Sequence, residues 1–78
     1  MSITVLYFAS LRDAAGVASE SLPQPASLAL LYEELRARHG LPLARERLSV
    51  AVNGAFCPWD AAVPEGAEIA FIPPVSGG

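Results

Sequence analysis

Seventy-eight residues, 53% hydrophobic and 17% charged, describe one globular domain near the lower size limit for a self-sufficient core, and exclude a disordered chain. A net charge of −3, with five arginines and no lysine, argues against nucleic acid as a partner, because phosphates call for clustered cations. A single cysteine permits no internal disulfide, and no secretory segment or bilayer-length apolar run is evident, so a cytoplasmic domain away from the membrane is expected.

Residues 3–8 (ITVLYF) are β-branched and aromatic and predict a first strand. Ser10 is placed to cap a short helical turn over residues 11–15, with Gly16 as its stop. Residues 18–22 read as a weak second strand, ended by Pro23 and Pro25. Ser27 is a good N-cap for a helix from Leu28 to about His39, with Gly40 just past its end. Leu28, Leu31, Tyr32 and Leu35 fall at i, i+3, i+4 and i+7 and form one apolar stripe; Glu33, Glu34, Arg36 and Arg38 take the wet surface.

Residues 42–48 predict an irregular or short helical connector. Ser49 to Val52 predicts a strand, and Asn53-Gly54 is a hairpin signal, returning through Ala55-Phe56-Cys57 before Pro58 intervenes. Pro64-Glu65-Gly66 is a turn, and residues 67–72 form the last strand. This order gives an α+β domain: one main helix across one face of a sheet of about five strands. The folded domain is expected over residues 1–73, with residues 74–78 as an extended tail.

Strand alternation sorts the two faces. Ile3, Val5 and Tyr7 belong with Ile69 and Phe71 on the helix side. A two-residue turn at Asn53-Gly54 pairs Val52 with Ala55, Ala51 with Phe56 and Val50 with Cys57; if Val50 and Val52 face the helix, Cys57 does too and Phe56 is on the open side. The open face then carries Leu6, Phe8, Phe56 and Ile72, an apolar patch of the kind that marks a protein interface.

Catalytic apparatus is scarce. His39, the one histidine, lies in the last helical turn, where a C-terminal capping role is the commoner one. One histidine and one cysteine do not supply a metal site, so no metal is expected. Cys57 reads as a small buried hydrophobe and Trp59 as a core-edge residue. Gly54 and Gly66 belong to turns and not to a phosphate-binding loop. Arg36, Arg38, Arg45 and Arg47 sit among Glu33, Glu34 and Glu46 as a mixed solvated surface, and Arg12 and Asp13 as a local pair or cap.

The remaining reactive group is at the far end. Two prolines stiffen the exit from the last strand, and residues 74–78 reach roughly 17 Å when extended. Glycine without a Cβ can enter a narrow channel, so Pro74, Val75, Ser76 and Gly77 would thread the terminal group into another protein's active site. The carboxylate of Gly78, with a pKa near ~3.5, is ionised and a poor electrophile at neutral pH. It needs activation by another protein, and ATP is the expected source.

The opening LYFASLRDAAG, the central VAVNG and the closing PEGAEIAFIPPVSGG together resemble the MoaD family, the small subunits of molybdopterin synthase, over nearly the whole chain. The resemblance implies the β-grasp fold of ubiquitin. It implies that an E1-like (MoeB-like) enzyme uses ATP to adenylate Gly78, the one point at which a nucleotide is bound, and that a sulfur donor protein supplies the sulfur that replaces AMP as a thiocarboxylate. It further implies that a MoaE-like large subunit receives the tail and performs the catalysis. There sulfur passes to cyclic pyranopterin monophosphate to build the molybdopterin dithiolene, and the chain binds no cofactor of its own. The family's apolar contact positions fall on Phe8, Phe56 and Ile72, the last two departing from the commoner Leu and Phe. Two alternatives share the Gly-Gly ending: a sulfur carrier for thiamine thiazole synthesis, and a ubiquitin-like protein modifier.

Overall fold

A computed structural model describes residues 2–74. Chain order is β1 (Ser2–Tyr7), α1 (Ala9–Ala15), β2 (Ser19–Pro23), α2 (Leu28–His39), a single 3-10 turn (Arg45–Arg47), β3 (Ser49–Val52), β4 (Ala55–Cys57) and β5 (Glu68–Ile72). The five strands form one mixed sheet in the order β2-β1-β5-β3-β4. Only β1 and β5 run parallel; the other neighbours are antiparallel. The α+β architecture of one main helix against five strands is the one expected.

The boundaries follow local chemistry. The Ser27 hydroxyl accepts the Leu30 amide at 3.1 Å, satisfying one of the free N–H groups at the start of α2. Gly40 ends the helix at φ 65°, a left-handed conformation that a Cβ disfavours, and its N–H reaches the Arg36 carbonyl. Asn53 and Gly54 both hold positive φ, as the tight turn between β3 and β4 requires, and the register is Val52 with Ala55, Ala51 with Phe56 and Val50 with Cys57. Pro23 is the last residue of β2 and not its breaker; β2 is an edge strand, where a missing N–H costs little.

The first helix departs from expectation. Ser10 does not cap it: α1 starts two residues earlier, at Ala9, Phe8 occupies the N-cap position, and no side chain caps it. The Phe8 carbonyl instead takes the Leu11 amide at 3.0 Å, so the turn is closed by backbone. Gly16 does end the helix, at φ 79°, with its N–H on the Arg12 carbonyl.

The core lies between α2 and the sheet. The α2 stripe Leu28, Leu31, Tyr32 and Leu35 meets Ile3, Val5, Tyr7, Val50, Ile69 and Phe71, with Leu11, Leu41, Leu48 and Ala67 closing the ends. Each fully buried large apolar side chain contributes about 2 kcal/mol of transfer free energy, so this layer is what holds so short a chain folded. Alternation assigned all of these sheet residues to the helix side.

Candidate functional site

The sheet face away from α2 is the candidate docking face. Register places one row of side chains straight across it: Ser19, Leu6, Ala70, Ala51 and Phe56. The next row, toward the end where the chain leaves β5, holds Ile72 opposite Ser49. Phe8 follows Tyr7, the partner of Phe71, and so lies beyond the end of β1 on that same side. Behind Leu6 the face turns polar, with Thr4 between Ser21 and Glu68. The Glu68 amide is taken by the Asn53 side-chain oxygen at 2.9 Å, which closes that polar end. The apolar half of the face is therefore the half next to the chain's exit from β5.

Exposure grades across this patch. Phe56 is 71% exposed and Phe8 45%, both large for apolar side chains with no covering layer. Leu6 and Ile72 are half-buried, less open than alternation alone suggested. Phe8 is aimed by unusual backbone: Ala9, directly after it, holds φ 50°. A left-handed non-glycine residue costs of order 1 kcal/mol and is retained where the surroundings fix the chain's direction. Here it turns the chain out of β1 and into α1 at the point where Phe8 is presented.

β5 ends at Ile72, Pro73 is half-buried and Pro74 exposed. Val75, Ser76, Gly77 and Gly78, on which the threading and acyl-group expectations fall, lie outside the described residues.

On the opposite side of the sheet, two contact sets escaped the sequence reading. The first is a network converging on Glu20 of β2. The Tyr7 hydroxyl donates to Glu20 Oε1 at 2.5 Å, and His39 Nε2 donates to the same oxygen at 2.8 Å. His39 thus ties the end of α2 to the sheet edge and does not serve as a helix cap. Burial pushes the Glu20 carboxyl up, but the hydrogen bonds from Tyr7 and His39, with the charges of His39 and Arg38, outweigh it and hold the group below its ordinary range. Tyr7 moves the other way: burial, then its bond to Glu20 and that carboxylate's charge, hold its proton well past the usual phenol range.

The second set is aromatic. The Trp59 ring stacks on Phe71 at 5.8 Å and 11°. Tyr32 meets Phe71 edge-on at 5.1 Å, and its hydroxyl donates to the Leu43 carbonyl at 2.6 Å. The Arg45 guanidinium covers Trp59 at 5.8 Å from the ring centre. Trp59 is thus the core-edge residue expected, but with a specific partner in β5.

Other candidates are placed plainly. Cys57 is half-buried with Sγ 3.9 Å from the Val50 carbonyl, consistent with a small packing residue. Arg38 reaches Glu34 at 3.7 Å on the helix surface, and Arg36 Nε reaches the Leu41 carbonyl at 3.4 Å. Arg12 and Asp13 are exposed and make no ion pair among the described residues. Among the described residues there is no group of three metal-ligating side chains, and no helix is long and apolar enough to cross a membrane.

Residues 5–78 match the ThiS family. The chain belongs to that family. Within it, the chain is 39% identical over 80 residues to the molybdopterin synthase sulfur carrier subunit of Haemophilus influenzae, covering 97% of this chain and 99% of the relative, which places it with the MoaD members. The fold matches SAMP1 of Haloferax volcanii with a TM-score of 0.81 at 25% identity, over 100% of both chains. It also matches a protein–protein complex of subunits 1 and 2 of the molybdopterin-converting factor of Helicobacter pylori, with a TM-score of 0.71 at 22% identity and 100% coverage of both chains. These neighbours are ubiquitin-like, and the mixed five-strand sheet crossed by α2 is the β-grasp fold that the sequence resemblance implied.

Proposed function

We propose that this chain is the sulfur carrier subunit of a molybdopterin synthase, acting in the cytoplasm and loaded at Gly78. The observation that carries this reading is its end-to-end relationship to a protein of that name at 39% identity. The apolar half-face beside the β5 exit supports it, because a carrier must dock by its body while presenting its end. The Helicobacter pylori neighbour, solved as subunit 1 with subunit 2, supports docking as the working state of this fold.

The chemistry follows from the reactivity of a carboxylate. Gly78 at neutral pH is an anion and resists attack by sulfur. An E1-like partner joins its oxygen to the α-phosphorus of ATP, expelling pyrophosphate, and a sulfur donor protein then displaces AMP to leave the thiocarboxylate. Phe8, Phe56, Leu6 and Ile72 dock on a large, MoaE-like subunit, and Pro74, Val75, Ser76 and Gly77 enter its active site. Each loaded chain passes one sulfur there to cyclic pyranopterin monophosphate, its own end returning to a carboxylate, and two such transfers form the dithiolene. The chain contributes no catalytic side chain of its own: it is the substrate of its activator and the sulfur donor of its partner.

Mixing the thiocarboxylated chain with the large subunit and cyclic pyranopterin monophosphate tests this reading. Molybdopterin is expected from the intact chain and none from a chain lacking Gly78. Thiazole formation with the thiamine partner set, and no molybdopterin, would overturn it. A second reading is favoured by the likeness to SAMP1, a small archaeal modifier protein by name: attachment through Gly78 to lysines of other proteins. Stable isopeptide conjugates in cell extracts, with no sulfur transfer, are the result that would select it.

A further inference from the structure

We propose, on the reading of the chain as a sulfur carrier, that Trp59 is a positioning residue for the tail: stacked on Phe71 from the helix side, it fixes the end of β5 from which Gly78 is presented.

Phe71 is fully buried and is the last β5 side chain anchored in the core. It lies between Tyr7 of β1 and Val50 of β3 in the register, so its backbone is held on both sides. Ile72 follows, paired with Ser49 as the final rung, and the chain leaves the sheet at Pro73. Successive strand residues point to opposite faces. The placement of the Phe71 ring beneath the sheet therefore sets the placement of Ile72 above it and the direction of the chain at Pro73.

Outside the sheet, two aromatic side chains grip that ring. Trp59 lies in the loop after β4, in a turn closed by the Ala61 amide on the Pro58 carbonyl at 3.1 Å. Its ring is near-parallel to Phe71, while Tyr32 blocks a second side edge-on. Arg45 lies over Trp59. A half-buried tryptophan that contributes only volume needs no set plane; this one stacks on a core ring and has a guanidinium over its own ring, and the ring it presses on is one residue from the docking patch. Offset aromatic pairs add stabilisation beyond the area they bury and restrict ring orientation. An acyl group carried at Gly78 depends on how firmly the described chain leading to it is held, because small misplacements of reacting atoms are costly.

The test uses the full chain loaded as thiocarboxylate, bound to saturating large subunit, with sulfur transfer followed in a single turnover. Trp59→Ala is expected to slow transfer in the saturated complex by about tenfold, as misplacement of a reacting group does, while the docking Kd changes by less than about threefold. Trp59→Phe, which keeps a stacking plane, is expected to restore most of the rate. Trp59→Leu, which keeps apolar volume and protects the fold, is expected to stay slow. In the free chain, amide exchange at Phe71 and Ile72 should accelerate in Trp59→Ala and Trp59→Leu but not in Trp59→Phe. A wild-type rate for Trp59→Leu at saturation, a loss confined to Kd, or a Trp59→Phe chain as slow as Trp59→Ala would overturn the proposal. If the parent chain makes no molybdopterin, the carrier reading falls; the exchange rates at Phe71 and Ile72 still decide whether Trp59 braces β5.

Discussion

On the helix side of the sheet, Val5, Ile69 and Phe71 are sealed from solvent; one residue along on the same or neighbouring strands, Leu6, Ile72 and Phe56 stay partly or largely open. The backbone, the register and even the apolar character are shared, so what separates the two faces is the covering layer. A chain of 78 residues supplies one long helix, and that helix can shield one side. The apolar residues left on the other side are gathered at the β5 exit, while Thr4 and Glu68 keep the distant end polar. A face that is apolar only where the tail departs has the layout of a docking surface. The two faces should therefore respond in opposite ways to substitution, one in stability and one in binding.

The largest effect is expected on the sealed face. Phe71→Ala should cost about 3–5 kcal/mol, read from the midpoint of denaturant unfolding, because Trp59 and Tyr32 cannot close over the lost ring. Phe56→Ala should change stability by less than about 0.5 kcal/mol, yet weaken binding to the large subunit by about 2 kcal/mol, as an exposed aromatic anchor does. Similar stability losses at the two positions would abolish the distinction between the faces.

A smaller loss, about 1 kcal/mol, is expected for Ser27→Ala, which frees the Leu30 amide at the start of α2 without touching the open face. Docking affinity should not move. Ala9→Gly should act in the reverse sense, gaining a few tenths to about 1 kcal/mol by relieving the left-handed backbone. Its cost would appear as weaker docking, through a less fixed Phe8.

The Glu20 network predicts a pH dependence belonging to the sealed side alone. Glu20 titrates below its ordinary range when folded, so its contribution is present above that range and is lost as pH falls through the folded value. Tyr7 keeps its proton past the ordinary phenol range near ~10, so its contribution is present below that range and is lost above it, as pH rises through the folded value. Glu20→Gln should flatten the acid limb of the stability profile while leaving docking at neutral pH unchanged.

Much of this was legible from local rules. The period-two pattern of residues 3–7 and 69–72, the i, i+3, i+4, i+7 stripe of α2 and the Asn53-Gly54 turn each depend on neighbours in sequence, and each was read correctly. Phe8 and Phe56 could be placed outward for the same reason. The depth of Leu6 and Ile72 could not, because shielding comes from adjacent strands: Leu6 sits between Ser19 and Ala70, and Ile72 beside Ser49. His39 was misread because its partner Glu20 lies 19 residues away, and Tyr7 reaches the same carboxylate across 13. Nothing in the pattern around Trp59 points to Phe71. The α1 cap failed for a different reason: Ala9 in a left-handed conformation begins the helix early, and a propensity rule assigns that conformation to glycine or asparagine.

Intact-mass spectrometry of the protein drawn from its native cell addresses the central claim directly. A fraction heavier by the difference between sulfur and oxygen, with the change mapped to Gly78, is the predicted result. A preparation that supports molybdopterin formation while showing only the unmodified mass would contradict it.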